Sequence, residues 1–121
     1  MTEPLPILTT TAYRSYLAAA AASGGMLSPI AHLAFGTGTR PYSPDEDTEL
    51  EREMVRLSAT TTSAGPEAKA SATLPGTAAS GLAITEVGAF TADGVLVARK
   101  TIAPIELEPY GEMDFDIIFE Y

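Results

Sequence analysis

Apolar and polar residues alternate along much of the chain, which is the pattern of strands that bury one face. Six segments have a strand pattern, either alternating or short and apolar: residues 30–35, 55–60, 68–74, 82–90, 95–98 and 113–121. Turn sequences at residues 64–67 and 93–94 connect neighbouring segments without an intervening helix. Because short turns join antiparallel strands, we expect a largely antiparallel sheet or sandwich.

One helix is predicted close to the start of the chain. Hydroxyl residues at 9–11 can cap its first turn, residues 12–22 favour helix, and Gly24 ends it. Tyr13 and Tyr16 lie on one side of this helix, which we expect to pack on a sheet face. A second interpretation, in which these tyrosines contact a partner subunit, stays open because tyrosine suits half-exposed interfaces. The predicted fold class is α+β and mainly β, in one domain of 121 residues.

Charge and composition argue against several classes of partner and ligand for this protein. The 16 acidic and 7 basic residues give a formal net charge of −9, which disfavours a nucleic-acid partner. The chain has no cysteine and a single histidine, so we expect no metal and no cofactor. No uninterrupted apolar run is long enough to span a membrane, and the first residues lack a secretory signal. We therefore expect a protein without a membrane partner that is made in the cytoplasm.

Few residues are candidates for catalysis. His32 lies inside a predicted strand with no second histidine or cysteine to join it, which favours a structural, hydrogen-bonded side chain over a ligand or base. Asp114 and Asp116 lie two residues apart, but they alternate with large apolar residues, which favours a solvent-exposed face. The sequence therefore predicts no catalytic residue and no enzyme.

The segment from Arg40 to Asp47 contains two prolines and three adjacent acids, which predicts an exposed acidic loop. The acids at 45–47 lack the alternating spacing and central glycine of a calcium-binding loop. Thr48 and Glu51 match a capping box, so a short helical turn is predicted from Asp47 or Thr48 to about Met54.

Glu86 lies within a predicted strand whose neighbours are mostly apolar. If its face is buried, the carboxylate requires a cation or several N–H donors, and Arg56 and Arg99 are the candidates. We expect such a pair to fix the strand register. The alternative is that this face lies in solvent and Glu86 is an ordinary surface acid. Gly88, two residues later, indicates a bulge or a close backbone approach, because glycine otherwise weakens a strand.

Several short motifs occur in a distinctive order after the predicted helix. They are Phe-Gly-Thr-Gly at 35–38, Thr-Glu-Leu at 48–50 with Glu53 and Arg56 after it, Ile-Thr-Glu-Val-Gly-Ala-Phe at 84–90, and Asp-Gly-Val-Leu-Val-Ala at 93–98. In this order the chain resembles the N-terminal domain of bacteriophage tail-collar fibre proteins, from about Thr9 to Tyr121. The structural motif of the resemblance, with its two candidate partner arginines, comprises Arg56, Glu86, Gly88, Phe90, Asp93, Gly94 and Arg99.

The resemblance implies a structural role in a virion. In that family the domain fastens a tail fibre to the baseplate or tail tip, and the fibre shaft follows in the same chain. This sequence stops at Tyr121, so we expect either an adaptor or a fibre supplied by a separate chain. By analogy with fibres, we expect a homo-oligomer, a trimer or else a dimer, in the virion tail after assembly in the host cytoplasm. The expected partners are baseplate or tail-tip proteins and a fibre or receptor-binding protein.

Two features favour an assembly role independently of the resemblance: an apolar terminal strand that can pair across subunits, and extended acidic loops. The residues predicted at interfaces are Tyr13, Tyr16, Arg40, Tyr42, Asp45, Asp47, Phe115, Phe119 and Tyr121. The alternative function is a small soluble β-rich module that binds a glycan or a peptide. Tyr42 and Tyr110 are the loop tyrosines available to such a site, and the chain has no tryptophan.

Overall fold

Seven strands form two antiparallel sheets in the computed structural model, which describes residues 8–120. The strands are β1 (Ile30–Gly36), β2 (Glu53–Ser58), β3 (Thr60–Ala64), β4 (Glu67–Pro75), β5 (Ile84–Thr91), β6 (Leu96–Ile105) and β7 (Glu112–Glu120). The larger sheet has the order β2-β1-β5-β6, and the smaller sheet has the order β3-β4-β7. Two helices, α1 (Thr11–Ser23) and the single turn α2 (Gly76–Ala79), complete the fold. The predicted α+β, mainly β class is confirmed.

Helix α1 begins and ends as the sequence predicts. The Thr10 hydroxyl accepts a hydrogen bond from the Tyr13 backbone N–H, and Gly24 adopts a left-handed conformation with φ of 73°. The backbone N–H of Thr10 also donates to Val97 of β6, and its hydroxyl donates to the Leu96 carbonyl. Thr10 therefore joins the helix to the edge of the larger sheet.

The chain passes from one sheet to the other at Ala59. The sequence predicts one strand over residues 55–60, but the structure divides it, because β2 pairs with β1 and β3 pairs with β4. The backbone N–H of Ala59 donates to the Ala31 carbonyl at 2.8 Å, which holds this corner in place. The predicted turn at 64–67 is confirmed, since Ala64 pairs directly with Glu67 across it.

The main core lies between the two sheets. Apolar side chains from both inner faces fill it, among them Leu33, Phe35, Leu74, Val87, Ile117 and Phe119. The rings of Phe35 and Phe115 pack with 4.8 Å between their centroids. Phe115 and Phe119, predicted at an interface, therefore face this core, because the alternation of β7 turns its apolar side inward. Phe119 is fully buried, which corrects the prediction.

Residues 37–52 form neither helix nor strand, and we call them the cover loop. The helical turn predicted from Asp47 or Thr48 to Met54 is wrong, because the side chain of Glu51 accepts hydrogen bonds from Thr39 and Arg40 in place of closing a capping box. Within residues 8–120, no helix is long and apolar enough to cross a membrane.

Candidate functional site

The cover loop lies on the outer face of the larger sheet and forms a second, smaller core there. Leu50 of the loop is buried together with Ala34 of β1, Phe90 of β5 and Leu96 of β6. Every residue of β5 is consequently buried, with one face against the smaller sheet and the other under the loop. This explains why the 82–90 segment is apolar on both faces.

The carboxylate of Glu86 connects this loop to the sheet. Its side chain is fully buried and accepts hydrogen bonds from three backbone N–H groups of the loop, those of Gly38, Glu51 and Arg52, at 2.8–3.0 Å. The fourth donor is Nε of Arg99, at 2.7 Å from Oε1. Of the two interpretations of Glu86, the one in which the carboxylate is buried and paired is confirmed, and Arg99 is the partner cation. The solvent-exposed alternative is wrong.

The guanidinium of Arg99 reaches two further groups of the cover loop. Nη1 donates to Asp47 at 3.2 Å, and Nη2 donates to the backbone carbonyl of Arg40 at 2.7 Å. Arg99 is completely buried, so three of its donors are used by protein acceptors in a region without solvent. Arg99 thus lies between the buried strand and both ends of the 40–47 segment.

Asp47 is buried, which corrects the prediction of a fully solvated acidic segment. Its carboxylate accepts hydrogen bonds from Arg99, from the half-exposed side chain of Arg40 at 3.0 Å and from the Ser43 backbone N–H. Asp45 and Glu46 are exposed as predicted. Sequence spacing does not separate Asp47 from its two acidic neighbours, because the distinction depends on where β6 places Arg99.

The four side chains Arg40, Asp47, Glu86 and Arg99 form one network, which we call the buried charge cluster. It contains two carboxylates and two guanidinium groups, so its formal charge is balanced. Burial raises the pKa of Glu86, but the hydrogen bonds from Arg99 and from the loop backbone lower it by more, and the net pKa lies below its ordinary value. Glu86 is therefore an ionised, fully hydrogen-bonded anchor, and this arrangement suits holding a loop rather than transferring a proton.

Three glycines lie where a side chain would collide with the cover loop or with the Glu86 carboxylate beneath it. A side chain at Gly36 would lie 2.6 Å from the Glu86 carboxylate, and one at Gly38 would lie 2.5 Å from Cβ of Glu51. A side chain at Gly88 would lie 2.6 Å from Cδ2 of Leu50. The predicted close approach at Gly88 is confirmed, and the approaching group is the buried leucine of the loop.

Arg56 does not contact Glu86. It forms a two-pronged ion pair with Glu53 and lies over the ring of Phe90, 4.0 Å from its centroid. Arg56 is therefore not the partner of Glu86. It packs at the margin of the small core beneath the cover loop. Phe90 connects it to the apolar group beneath the loop.

Asp93 and Gly94 form the predicted turn between β5 and β6. Gly94 has φ of 93°, and Asp93 accepts hydrogen bonds from the hydroxyls of Thr91 and Tyr16. Tyr16 also accepts from the Ser28 backbone, so its hydroxyl joins α1 to this turn. Tyr16 thus contacts residues of its own chain, in agreement with the interpretation in which α1 packs on a sheet.

The other residues predicted at interfaces lie at different depths. Tyr13 is buried against the main core, so it is not available on the surface. Tyr42 is half-buried and donates to the Leu8 carbonyl, and burial raises its pKa to about 12. Asp45 is exposed and accepts from the Thr11 hydroxyl. Tyr121 lies outside the described residues.

The prediction for His32 differs from the structure, whereas the prediction for the acidic pair of β7 agrees with it. The hydrogen bond predicted for His32 is not made at Nδ1, which is buried without a hydrogen-bond partner among residues 8–120. Asp114 and Asp116 are exposed on the outer face of the smaller sheet, as predicted. Asp114 accepts a hydrogen bond from the Thr73 hydroxyl at 2.6 Å.

Comparison with protein-family models, with curated proteins and with solved structures finds no match to this chain. The fold and the buried charge cluster therefore supply the physical basis for a proposal.

Proposed function

We propose that this chain is a structural component of a bacteriophage tail or of a related contractile particle. In this role it attaches a tail fibre or a receptor-binding protein to the baseplate or tail tip. Attachment proceeds by self-assembly and docking, without a chemical step. The proposed assembly is a homo-oligomer, a trimer by analogy with fibres.

The observation that supports this proposal most is the convergence of the resembling motifs. Gly36 and Gly38 of the first motif, Leu50 of the second, and Glu86 and Gly88 of the third all meet at the buried charge cluster and the small core beside it. Gly38 and Glu86, which are 48 residues apart along the chain, are in direct contact, and the motifs thus form one contact unit. A shared set of contacts gives a physical reason for these short motifs to occur together in a family.

A second observation concerns the surface that the cluster presents. The cluster fixes the backbone of the cover loop from beneath, while Pro41, Glu46 and Glu49 stay exposed on top. A loop held by buried charges presents these groups in one geometry, which reduces the entropy lost when a neighbouring protein docks. This suits a part that must be incorporated repeatedly into an ordered particle.

The test is whether the chain is found on particles. Particles purified from the source organism are labelled with an antibody against this chain and imaged by electron microscopy, and their proteins are identified by mass spectrometry. We expect label at the distal end of the tail. Deleting the gene should yield particles without fibres, and the wild-type gene or a variant at an exposed site outside the cover loop, Glu106→Gln, should restore them.

Particles that keep their fibres after the deletion would overturn the proposal. In parallel, light scattering at two widely separated concentrations gives the mass of the assembly relative to the 12.6 kDa chain. A glycan-binding assay on the same sample tests the alternative function, for which Tyr110 is an exposed tyrosine, at 89%. Glycan binding without particle association would replace the proposal.

A further inference from the structure

Strand β7 has an open edge. Within residues 8–120 it pairs with β4 along its whole length, from Glu112 to Glu120, and with no strand on its other side. An open edge presents a row of backbone N–H and C=O groups that can pair with an added strand. At nine residues, this edge is long enough to bind an extended segment.

The outer face beside this edge is strongly acidic. Every second residue of β7 points outward, and the outward set is Glu112, Asp114, Asp116, Ile118 and Glu120. On β4 and β3, the other strands of this sheet, the same face adds Glu67 and a single cation, Lys69, among uncharged residues. The ion pairs in the described part of the chain do not include any acid of β7.

These charges oppose pairing of β7 with a second copy of itself. In an antiparallel pair, residues directly opposite each other point to the same face, so the outward acids of one copy face the outward residues of the other. A register centred on Asp116 places Asp116 opposite itself and Glu112 opposite Glu120. Shifting the centre by one residue either way places Asp114 opposite Asp116 or Glu120. Every register that is centred on a residue and pairs at least five residues sets two acids opposite each other, which is destabilising. A register centred between two residues instead places outward acids of one copy opposite inward apolar residues of the other.

On the inner face of β7, an added strand would need apolar residues, in contrast to the basic residues that suit the acidic outer face. Met113 is 39% exposed and Phe115 is half-buried, although both lie on the inner face of β7. An added strand would extend this core, and an apolar side chain opposite each of them would remove apolar surface from water. The two faces together define a pattern: basic residues outward and apolar residues inward, in alternation.

We infer that the β7 edge binds an extended segment of a different protein, in which Lys or Arg alternates with apolar residues. The backbone of β7 supplies the hydrogen bonds, and its outward acids select the partner by charge. This goes beyond the proposed function, because the edge would bind the same kind of segment in any assembly. A chain that binds such a segment but is not found on particles would disprove the proposed function alone.

The test uses the full chain and two capped nine-residue peptides of equal composition. One alternates Lys and Val throughout, and the other has five Lys followed by four Val. Binding is measured by fluorescence anisotropy, and amide chemical shifts of the chain locate the peptide. We expect the alternating peptide to bind about tenfold more tightly, with shifts concentrated in residues 112–120.

Variants of the chain separate the edge from general attraction to an acidic protein. Asp114→Lys with Asp116→Lys should weaken binding of the alternating peptide about tenfold. Glu46→Lys with Glu49→Lys makes the same change in net charge on exposed residues of the cover loop and should change it less than about twofold. Both variants alter exposed side chains, and circular dichroism checks their folding.

Three results would overturn the inference. The first is equal binding of the two peptides, which would indicate attraction to charge alone. The second is a set of shifts located away from β7. The third is protection from hydrogen exchange, in the chain without peptide, of the β7 amides that point away from β4. Such protection would show that this edge is already paired with a second copy or with another part of the same chain.

Discussion

Arg99 and Glu86 lie on adjacent antiparallel strands and form a fully buried ion pair, with 2.7 Å between Nε and Oε1. They are diagonal neighbours, because Arg99 lies directly opposite Gly88 and Glu86 lies directly opposite Thr101. The missing side chain at Gly88 leaves the face open toward the loop, and the long arginine side chain spans the diagonal. The pair therefore joins the register of two strands to the position of the cover loop.

Glu86→Gln is expected to lower the free energy of unfolding by about 3 kcal/mol, because Arg99 keeps its charge in a region without solvent. Urea unfolding followed by circular dichroism measures the change. Glu49→Gln is the matched control, since Glu49 is exposed on the cover loop. A loss below about 0.5 kcal/mol for Glu86→Gln, no larger than that of a typical surface substitution, would contradict a stabilising role for the pair.

The two arginines considered as partners of Glu86 should differ in their effect on stability. Arg99→Gln removes the buried donor and leaves two carboxylates without it, so we expect a loss of about 3 kcal/mol or more. Arg56→Gln removes a partly exposed ion pair and a cation–π contact, for which we expect about 1 kcal/mol. The same unfolding experiment compares them, and equal losses would argue against this assignment.

The pH dependence of stability should contain a contribution from Glu86. Its pKa in the folded chain lies below the ordinary value of 4.5, so its stabilisation is complete above that pH and is lost as the pH falls through the lower, folded-state value. The difference in unfolding free energy between wild type and Glu86→Gln should therefore be largest near neutral pH and shrink below about pH 4.5. A difference that stays constant from pH 7 to pH 3 would exclude this linkage.

Gly88→Ala should destabilise the chain by about 1–3 kcal/mol, because the new methyl group would overlap Leu50. Combining it with Leu50→Ala tests the cause. The double variant should lose less than the sum of the two single losses, since the smaller residue makes room for the methyl group. Gly111→Ala is the control, because the atom nearest to an added Cβ there is the Glu108 carbonyl oxygen, at 3.4 Å. Additive losses would show that Leu50 is not the group in conflict.

Thr10→Ala should lower stability by about 1–2 kcal/mol, because the hydroxyl both caps α1 and donates to the Leu96 carbonyl. Thr9→Ala, one residue earlier, serves as the control. Helix content from circular dichroism and the urea midpoint are the measurements. Equal helix content and equal urea midpoints for the two variants would show that the Thr10 hydroxyl does not cap α1.

Local patterns were sufficient for most of the fold. The hydroxyl before α1, the glycine after it, the turn at 93–94 and the alternation in β7 each depend on residues a few positions apart. Such signals predict element type because the backbone conformation they favour is local. The same alternation identified Asp114 and Asp116 as exposed, but it did not show that the opposite face, which includes Phe119, meets a second sheet of the same chain and not a partner subunit.

The cover loop shows where local patterns fail. Thr48 and Glu51 match a capping box, yet Glu51 accepts hydrogen bonds from Thr39 and Arg40 and no helix forms. Asp47 is indistinguishable from Asp45 along the chain, but only Asp47 is buried against Arg99. In both cases the competing partner is brought into place by another segment of the chain.

The sequence by itself determined the type of most elements, the antiparallel arrangement and the requirement that a buried Glu86 find a cation or several N–H donors. Only the tertiary structure decided that the cation is Arg99, that the chain changes sheet at Ala59 and that a loop covers β5. The physical reason is distance along the chain. Element type depends on neighbouring residues, whereas the partner of a buried charge depends on which distant strands lie side by side, and that is settled by packing of the whole chain.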